Sequence, residues 1–252
     1  MKVRYLDKVT WLGQHASTNF WDGHWAEIIE TSLKSAKVPR YLNHFLNGFS
    51  DPNARILEAG CGTGGILKGM LNKGFKAEGV DTAEKAISVL KKHKIPAQKM
   101  DVLKLTYPDN IFDGYISLGV IEHFIDEEDS IAIIKEAIRV TKKGGRIFCS
   151  VPFTNLLRHH FMKEKYNKKS IDVEKFYQRS YTQKQYLDLF KNLPVEVVTI
   201  NHYDCLKGIS DSLQLASWMK KKPFYYLVRI LETTPLFRRL FSHMISVELK
   251  VK

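Results

Sequence analysis

Cysteine is scarce in this chain. Among 252 residues only Cys61, Cys149 and Cys205 occur, an odd number, widely spaced and without a CxxC pair. That excludes a disulfide framework and leaves three reduced thiols. Long uncharged runs are missing too. The longest, Val9 to Trp21, is interrupted by Gln14, His15, Ser17, Thr18 and Asn19, and falls short of the roughly 18–20 apolar residues that span a bilayer. The N-terminal MKVRYLDKVT has basic residues but no apolar run behind them, so no secretory signal is expected and a cytoplasmic location is the default. With 8 prolines, 15 glycines and 44% hydrophobic residues, disordered and fibrous classes are excluded and a buried core is expected. No internal repeat is present, which removes a solenoid. His159-His160 lacks matching ligands elsewhere, so no metal is expected.

Charge is abundant and unevenly placed. The net charge is +12, with 8 Lys/Arg against 3 acids in residues 158–184 and 9 against 3 in residues 206–252. The excess therefore belongs to the C-terminal half, where it favours an anionic substrate, nucleic acid or an acidic membrane surface over a neutral partner.

Between about residues 54 and 150, short β-branched runs alternate with segments of helical period, the pattern of a βαβ series. Strands are expected at 54–59, 76–80, 97–100, 112–118 and 146–151. The segment Ile131, Ile134, Ala137, Ile138 and Val140 predicts a helix closing at Lys142-Lys143-Gly144-Gly145. Thr182 is a predicted helix cap, followed by a strand at 195–200. The alternating Ser246 to Val251 suits an edge strand. Residues 1–53 read as an N-terminal helical cover. Residues 54–252 read as the main domain, with a basic, aromatic insertion or lid at 153–181 and a largely helical insertion at 206–243.

The cluster Gly60-Cys61-Gly62-Thr63-Gly64-Gly65 lies between a strand and a helix. Glycine lets main chain approach a ligand, and the helix N-terminus offers free N–H donors. Gly60, Gly62 and Gly65 also satisfy GxGxxG with Asp81 some 20 residues on, which leaves a nicotinamide dehydrogenase open at this point. Glu58, Asp81 and Asp101 fall at the carboxyl ends of successive strands, the rim where open α/β sheets bind ligands.

Residues 54–151 resemble the cofactor domain of class I S-adenosylmethionine-dependent methyltransferases. The resemblance rests on Glu58-Ala59-Gly60-Cys61-Gly62-Thr63-Gly64, on Asp81, on Asp101 with Val102, on Ser117 to Phe124, and on Lys142-Lys143-Gly144-Gly145-Arg146 before the fifth strand. It implies an α/β, Rossmann-like, doubly wound sheet of seven mostly parallel strands, with an antiparallel final strand and helices on both faces, here carrying helical insertions. It implies S-adenosyl-L-methionine as cofactor, held by Glu58, Gly60, Cys61, Gly62, Gly64, Asp81, Thr82, Asp101, Val102 and the Leu118 carbonyl. Asp81 would take the ribose hydroxyls and Asp101 the adenine amino group. Phe20-Trp21-Asp22-Gly23-His24-Trp25 resembles the N-terminal cover of the small-molecule branch, with Trp21 and Trp25 sharing one helix face.

Methyl transfer from a sulfonium is an in-line displacement, so the protein mainly aligns and dries the site. His123 is the candidate base. The expected acceptor is a small or lipid-like molecule. Helices through Phe224–Leu231 and Leu236–Phe241, with Arg229, Arg238 and Arg239, suggest peripheral contact with an anionic membrane. An RNA-modifying methyltransferase ranks second, on a pI of about 9.4; Tyr166, Phe176, Tyr177 and Tyr181 among basic residues suit stacking on bases and equally a lid over an aromatic substrate. A noncatalytic cofactor-binding protein is the third reading.

Overall fold

The structure, a computed structural model, describes residues 3–5, 9–12, 17–51, 53–155, 170–172, 176–213 and 222–252. Its centre is a seven-stranded sheet built from β3 (Arg55–Ala59), β4 (Lys76–Asp81), β5 (Ala97–Lys99), β6 (Phe112–Leu118), β7 (Thr141–Pro152), β10 (Val195–Tyr203) and β11 (Met244–Val251), in the order β10-β11-β7-β6-β3-β4-β5. β3 pairs in parallel with both β4 and β6, so the chain runs outward through β4 and β5 before returning to β6 and β7 on the other side. That reversal creates a crevice at the carboxyl ends of β3 and β6, where such sheets bind ligands. β11 runs antiparallel to both of its neighbours.

Crossover helices cover both faces: α3 (Gly65–Asn72) follows β3, α4 (Glu84–Lys92) follows β4 and α5 (Glu127–Val140) joins β6 to β7. Alternate strand residues consequently enter two separate cores. Leu57, Tyr115 and Ile147 pack on one side with Ile133, Ile134 and Ala137 of α5. Ile56, Ile116 and Phe148 pack on the other with Leu67, Ile87 and Leu90, beneath α1 (Thr18–Lys34) and α2 (Asn43–Asn47). Continuous apolar runs in the central strands follow from this double burial. Ser17 caps α1 by accepting the Phe20 N–H at 3.3 Å. Thr182 and Gln185 form a capping box at the start of α6 (Gln183–Asp188), as the sequence predicts.

Four features depart from the sequence pattern. The N-terminal cover is not wholly helical: β1 (Val3–Tyr5) pairs antiparallel with β8 (Ser170–Asp172), and β2 (Val9–Leu12) with β9 (Phe176–Ser180). The 153–181 segment is therefore, in its described parts, a strand-bearing flap sewn to the N-terminus, and not a helical insertion. Lys142 and Lys143 do not close a helix, because α5 stops at Val140 and the strand begins at Thr141, with Gly144 at φ +76° beside an irregularity in the β6–β7 register. Finally, β11 is interior. Both of its edges are paired and Glu248 is 2% exposed, so its alternation does not mark an edge; β10 holds that position.

The second insertion is helical in its described residues, with α7 (Cys205–Leu213), α8 (Lys222–Leu231) and α9 (Pro235–Phe241) meeting around Cys205, Ile209 and Val228. No helix among the described residues is long and apolar enough to cross a membrane. Tyr166 and His159-His160 lie outside the described residues.

Candidate active site

The glycine cluster turns the chain from β3 into α3 with Gly60, Gly62 and Gly64 at φ +76°, +48° and +67°, values that side-chain-bearing residues rarely adopt. The Gly60 and Cys61 N–H groups donate to the Val80 carbonyl at 2.8 and 3.0 Å, pinning the loop to β4. Asp81, at the end of β4, accepts the Gly62 N–H on Oδ2 (2.7 Å) and the Ala83 N–H on Oδ1 (2.9 Å). It therefore braces the loop that it borders. Burial raises its pKa, and the Ala83, Gly62 and Thr82 N–H bonds oppose that rise. The carboxylate retains lone-pair capacity for a hydroxyl donor.

A cavity of about 490 Å³ runs along this rim, lined by Gly60, Asp81, Thr82, Asp101, Val102, Gly119 and Val120, with Trp21, Trp25, His123 and Phe176 among its walls. A second, of about 530 Å³, shares Trp21, Trp25, Gly60, Gly119 and His123 and adds Glu58, Cys61, Gly62, Leu118, Glu122 and Tyr177. The structure thus brings together every site residue expected from the sequence except Gly64, which lines neither cavity. A Cβ there would meet Leu90 Cδ2 at 2.5 Å, so that glycine serves the packing of α3 on α4. Asp101 accepts the Leu103 N–H at 2.9 Å, and Val102 is buried beside it. Cys61 is buried with its thiol pKa pushed well up, chiefly by desolvation, which makes it a wall and not a nucleophile.

The donor set suits S-adenosylmethionine. Asp81, Asp101 and Asp129 line a cavity that also meets the Gly60 main chain, and Val102 adds an apolar wall beside Asp101. Glu58 sits beneath the loop, buried, its pKa lifted to about 8 by burial and then by Asp81, with Oε2 lacking a partner among the described residues.

Trp21 and Trp25, four residues apart on α1, stack at 5.2 Å and 15° over the loop. A Cβ on Gly62 would lie 3.0 Å from Trp25 Cε2, so the indole rests directly on main chain. Trp21 meets His123 edge-on at 4.9 Å, and His123 meets Tyr177 of β9 at 5.2 Å. The His123 Nδ1–H donates to the Tyr177 carbonyl at 2.8 Å, since a carbonyl can only accept. The neutral ring consequently holds its free lone pair on Nε2. Burial lowers the His123 pKa to about 4, against the opposing Tyr177 bond. Glu122 beside it is buried, raised to about 8 by desolvation, and its Oε2 also lacks a partner among the described residues.

Ser17 and Thr18 are site-lining residues that the sequence does not single out. Glu122 and Tyr177 also line the site; the sequence marks them only as part of the Ser117 to Phe124 motif and of the basic, aromatic segment. Among the described residues, no group of three His, Cys, Asp or Glu converges as a metal site.

Residues 57–149 match a family model described as a methyltransferase domain. The chain is 33% identical over 134 residues to the human (Homo sapiens) protein named "Probable tRNA methyltransferase 9B", covering 53% of this chain and 29% of that one. It is 31% identical over 103 residues to the ubiquinone biosynthesis O-methyltransferase of Dechloromonas aromatica, covering 38% of this chain and 43% of the relative. The matched segments thus span less than half the length of either relative. Among solved structures, a SAM-dependent methyltransferase from Archaeoglobus fulgidus shares the fold, with a TM-score of 0.57 at 20% identity over 83% of this chain and 91% of that chain. The family match sets aside the dinucleotide reading of Gly60, Gly62 and Gly65.

Proposed function

We propose that this chain, which carries a class I S-adenosylmethionine-dependent methyltransferase domain, methylates a small-molecule or lipid-like acceptor, with His123 as the base. The observation that carries the reading is the place of His123: its ring lines both cavities while its Nδ1–H is held by the flap. When bound, the cofactor supplies an electrophilic methyl on a sulfonium. Asp81 and Asp101 would hold its polar groups, and the glycine loop with the Leu118 carbonyl would hold its amino-acid end. Trp21, Trp25 and Tyr177 roof the site and exclude water, which favours transfer to the acceptor over hydrolysis. His123 Nε2 takes the proton that an acceptor hydroxyl or acidic carbon loses.

A lipid-like acceptor is supported by the exposed Tyr226, Leu227 and Ile230 of α8 and Leu236 of α9, apolar side chains on the two helices that also carry Arg229 and Arg238. The second reading, methylation of RNA, is favoured by the name of the human relative.

Calorimetric titration with S-adenosylmethionine and S-adenosylhomocysteine tests the donor half. Binding is expected for both, weakened at least tenfold by Asp81→Ala, because that change removes the loop brace together with a charge-assisted contact. Transfer of a radiolabelled methyl group to extracted metabolites, lipids and tRNA in parallel tests the acceptor half. Label in tRNA alone would replace the first reading by the second.

A further inference from the structure

A third cavity, of about 850 Å³, lies on the opposite side of Leu118 and Gly119 from Asp81, among β10, α2's approach, and the α7–α9 insertion. Its charged lining is unbalanced. Arg40, Lys207, Arg229 and Arg238 face it against Asp204 and Glu232. Glu232 is already committed: one oxygen pairs with Arg229 at 2.5 Å and the other accepts the Cys205 N–H at 3.0 Å. Asp204 is the other acid on this lining, beside Arg40 and Arg238.

Two residues of this lining each bury a nitrogen that lacks a hydrogen-bond partner among the described residues: Arg238 at Nε and His202 at Nε2. Buried nitrogens are normally hydrogen-bonded, so two such residues on one cavity call for an acceptor. The His202 ring is fixed edge-on against Phe153 at 4.7 Å, and the Arg238 and Arg239 charges act directly on it. Burial and those charges hold its pKa near about 4. At neutral pH the ring is thus uncharged, and Nε2 can be a neutral donor.

We propose that this cavity is the acceptor chamber, and that Arg238, Arg40 and His202 bind an anionic group, phosphate or carboxylate, carried by the methyl acceptor. Arginine presents planar paired donors suited to either anion. The shared Leu118–Gly119 wall sets the chamber against the expected methyl-donor end, so the assignment as acceptor chamber rests on the preceding functional reading, whereas anion binding rests on the cavity alone.

The test is calorimetric titration of the full chain with sodium phosphate and with sodium acetate, each against sodium chloride at matched ionic strength. S-adenosylhomocysteine is titrated separately. Saturable binding of phosphate or acetate is expected, and the preferred ion names the acceptor's anionic group. Arg238→Met should weaken that binding at least tenfold and His202→Phe, which keeps the ring packing on Phe153, about threefold to tenfold. Both variants should bind S-adenosylhomocysteine within twofold of the parent, and exposed Lys143→Met should change neither ligand. No binding beyond chloride, or binding indifferent to both cavity substitutions, overturns the anion site. Anion binding without S-adenosylhomocysteine binding overturns the methyl-transfer reading and the acceptor assignment, while the anion site stands.

Discussion

His123 enters the site with its Nδ1–H held by the Tyr177 carbonyl and its Nε2 lone pair open. The folded ring stays neutral down to about pH 4, whereas an unfolded histidine protonates near about pH 6.5. Between those values the unfolded chain binds the extra proton, so stability rises with pH across that window. The contribution is complete above about pH 6.5 and is lost as pH falls toward 4. His123→Gln removes the titrating group. In that variant the melting temperature should fall less between about pH 7 and pH 4.5 than in the parent, the difference corresponding to about 1–3 kcal/mol. Turnover should drop on the order of a hundredfold or more at neutral pH while S-adenosylhomocysteine affinity holds. Unchanged turnover would remove His123 from the mechanism. The parent's rate should be flat from about pH 6 to 7, because the base is already free there and Glu122 is still protonated. Glu122, one residue earlier, has the opposite sense: raised to about 8, it is protonated at neutral pH and contributes no charge to the proton-accepting face.

β11 shows why an element can be misread from its own residues. Ser246-Val247-Glu248-Leu249 alternates as an exposed strand does, yet Glu248 faces Arg146 of β7, whose Nε donates to Oε1 at 2.8 Å and whose Nη2 donates to the same oxygen. The Arg146 Nη1 donates to the Phe45 carbonyl at 2.9 Å, and its guanidinium lies over the rings of Phe45 and Phe49. This ion pair closes the sheet onto α2. Removing Arg146 leaves the buried Glu248 carboxylate with His44 Nδ1 at 3.2 Å in place of a guanidinium, so Arg146→Met should cost about 3 kcal/mol in urea unfolding, and Arg146→Met with Glu248→Leu should recover most of it. Equal losses in single and double variants would show that the pair contributes packing alone. The sequence pattern made β3 to β6 legible because each lies between local punctuation: Gly60 to Gly65, Asp81, Tyr107-Pro108-Asp109-Asn110 and Gly119 mark strand ends without reference to distant partners. β1 and β2 were not legible, being three and four residues long and paired with segments more than 160 residues away. The same division holds for the site. Asp81, Asp101, Glu122 and the glycines follow from strand ends, whereas the meeting of Tyr177 with His123 and of Arg238 with His202 needs tertiary proximity that no spacing encodes.

The flap and the cover form one continuous connection to the donor groove. β2 leads toward α1, β2 pairs with β9, and β9 supplies the Tyr177 carbonyl that holds His123. α1 supplies Trp21 and Trp25, which pack on His123 and on the Gly62 main chain. Segments about 150 residues apart therefore converge on one side of the groove through a few ring contacts and a two-stranded ribbon, while the opposite side is the sheet itself. Such peripheral units open locally at lower free energy than the core strands. A ligand filling the groove adds contacts to both segments and suppresses their opening together. Hydrogen exchange with and without S-adenosylhomocysteine should accordingly show joint slowing of amides in residues 18–25, 60–65 and 176–180, with α8 and α9 unchanged. Trp21→Ala should uncouple them: the glycine loop keeps its ligand protection while β9 loses most of its own, because the Trp21–His123 contact no longer transmits occupancy to the Tyr177 carbonyl. Protection confined to the glycine loop in the parent protein would mean that cover and flap move independently of the groove, and the water-excluding role given to Trp21 and Tyr177 would fall with it.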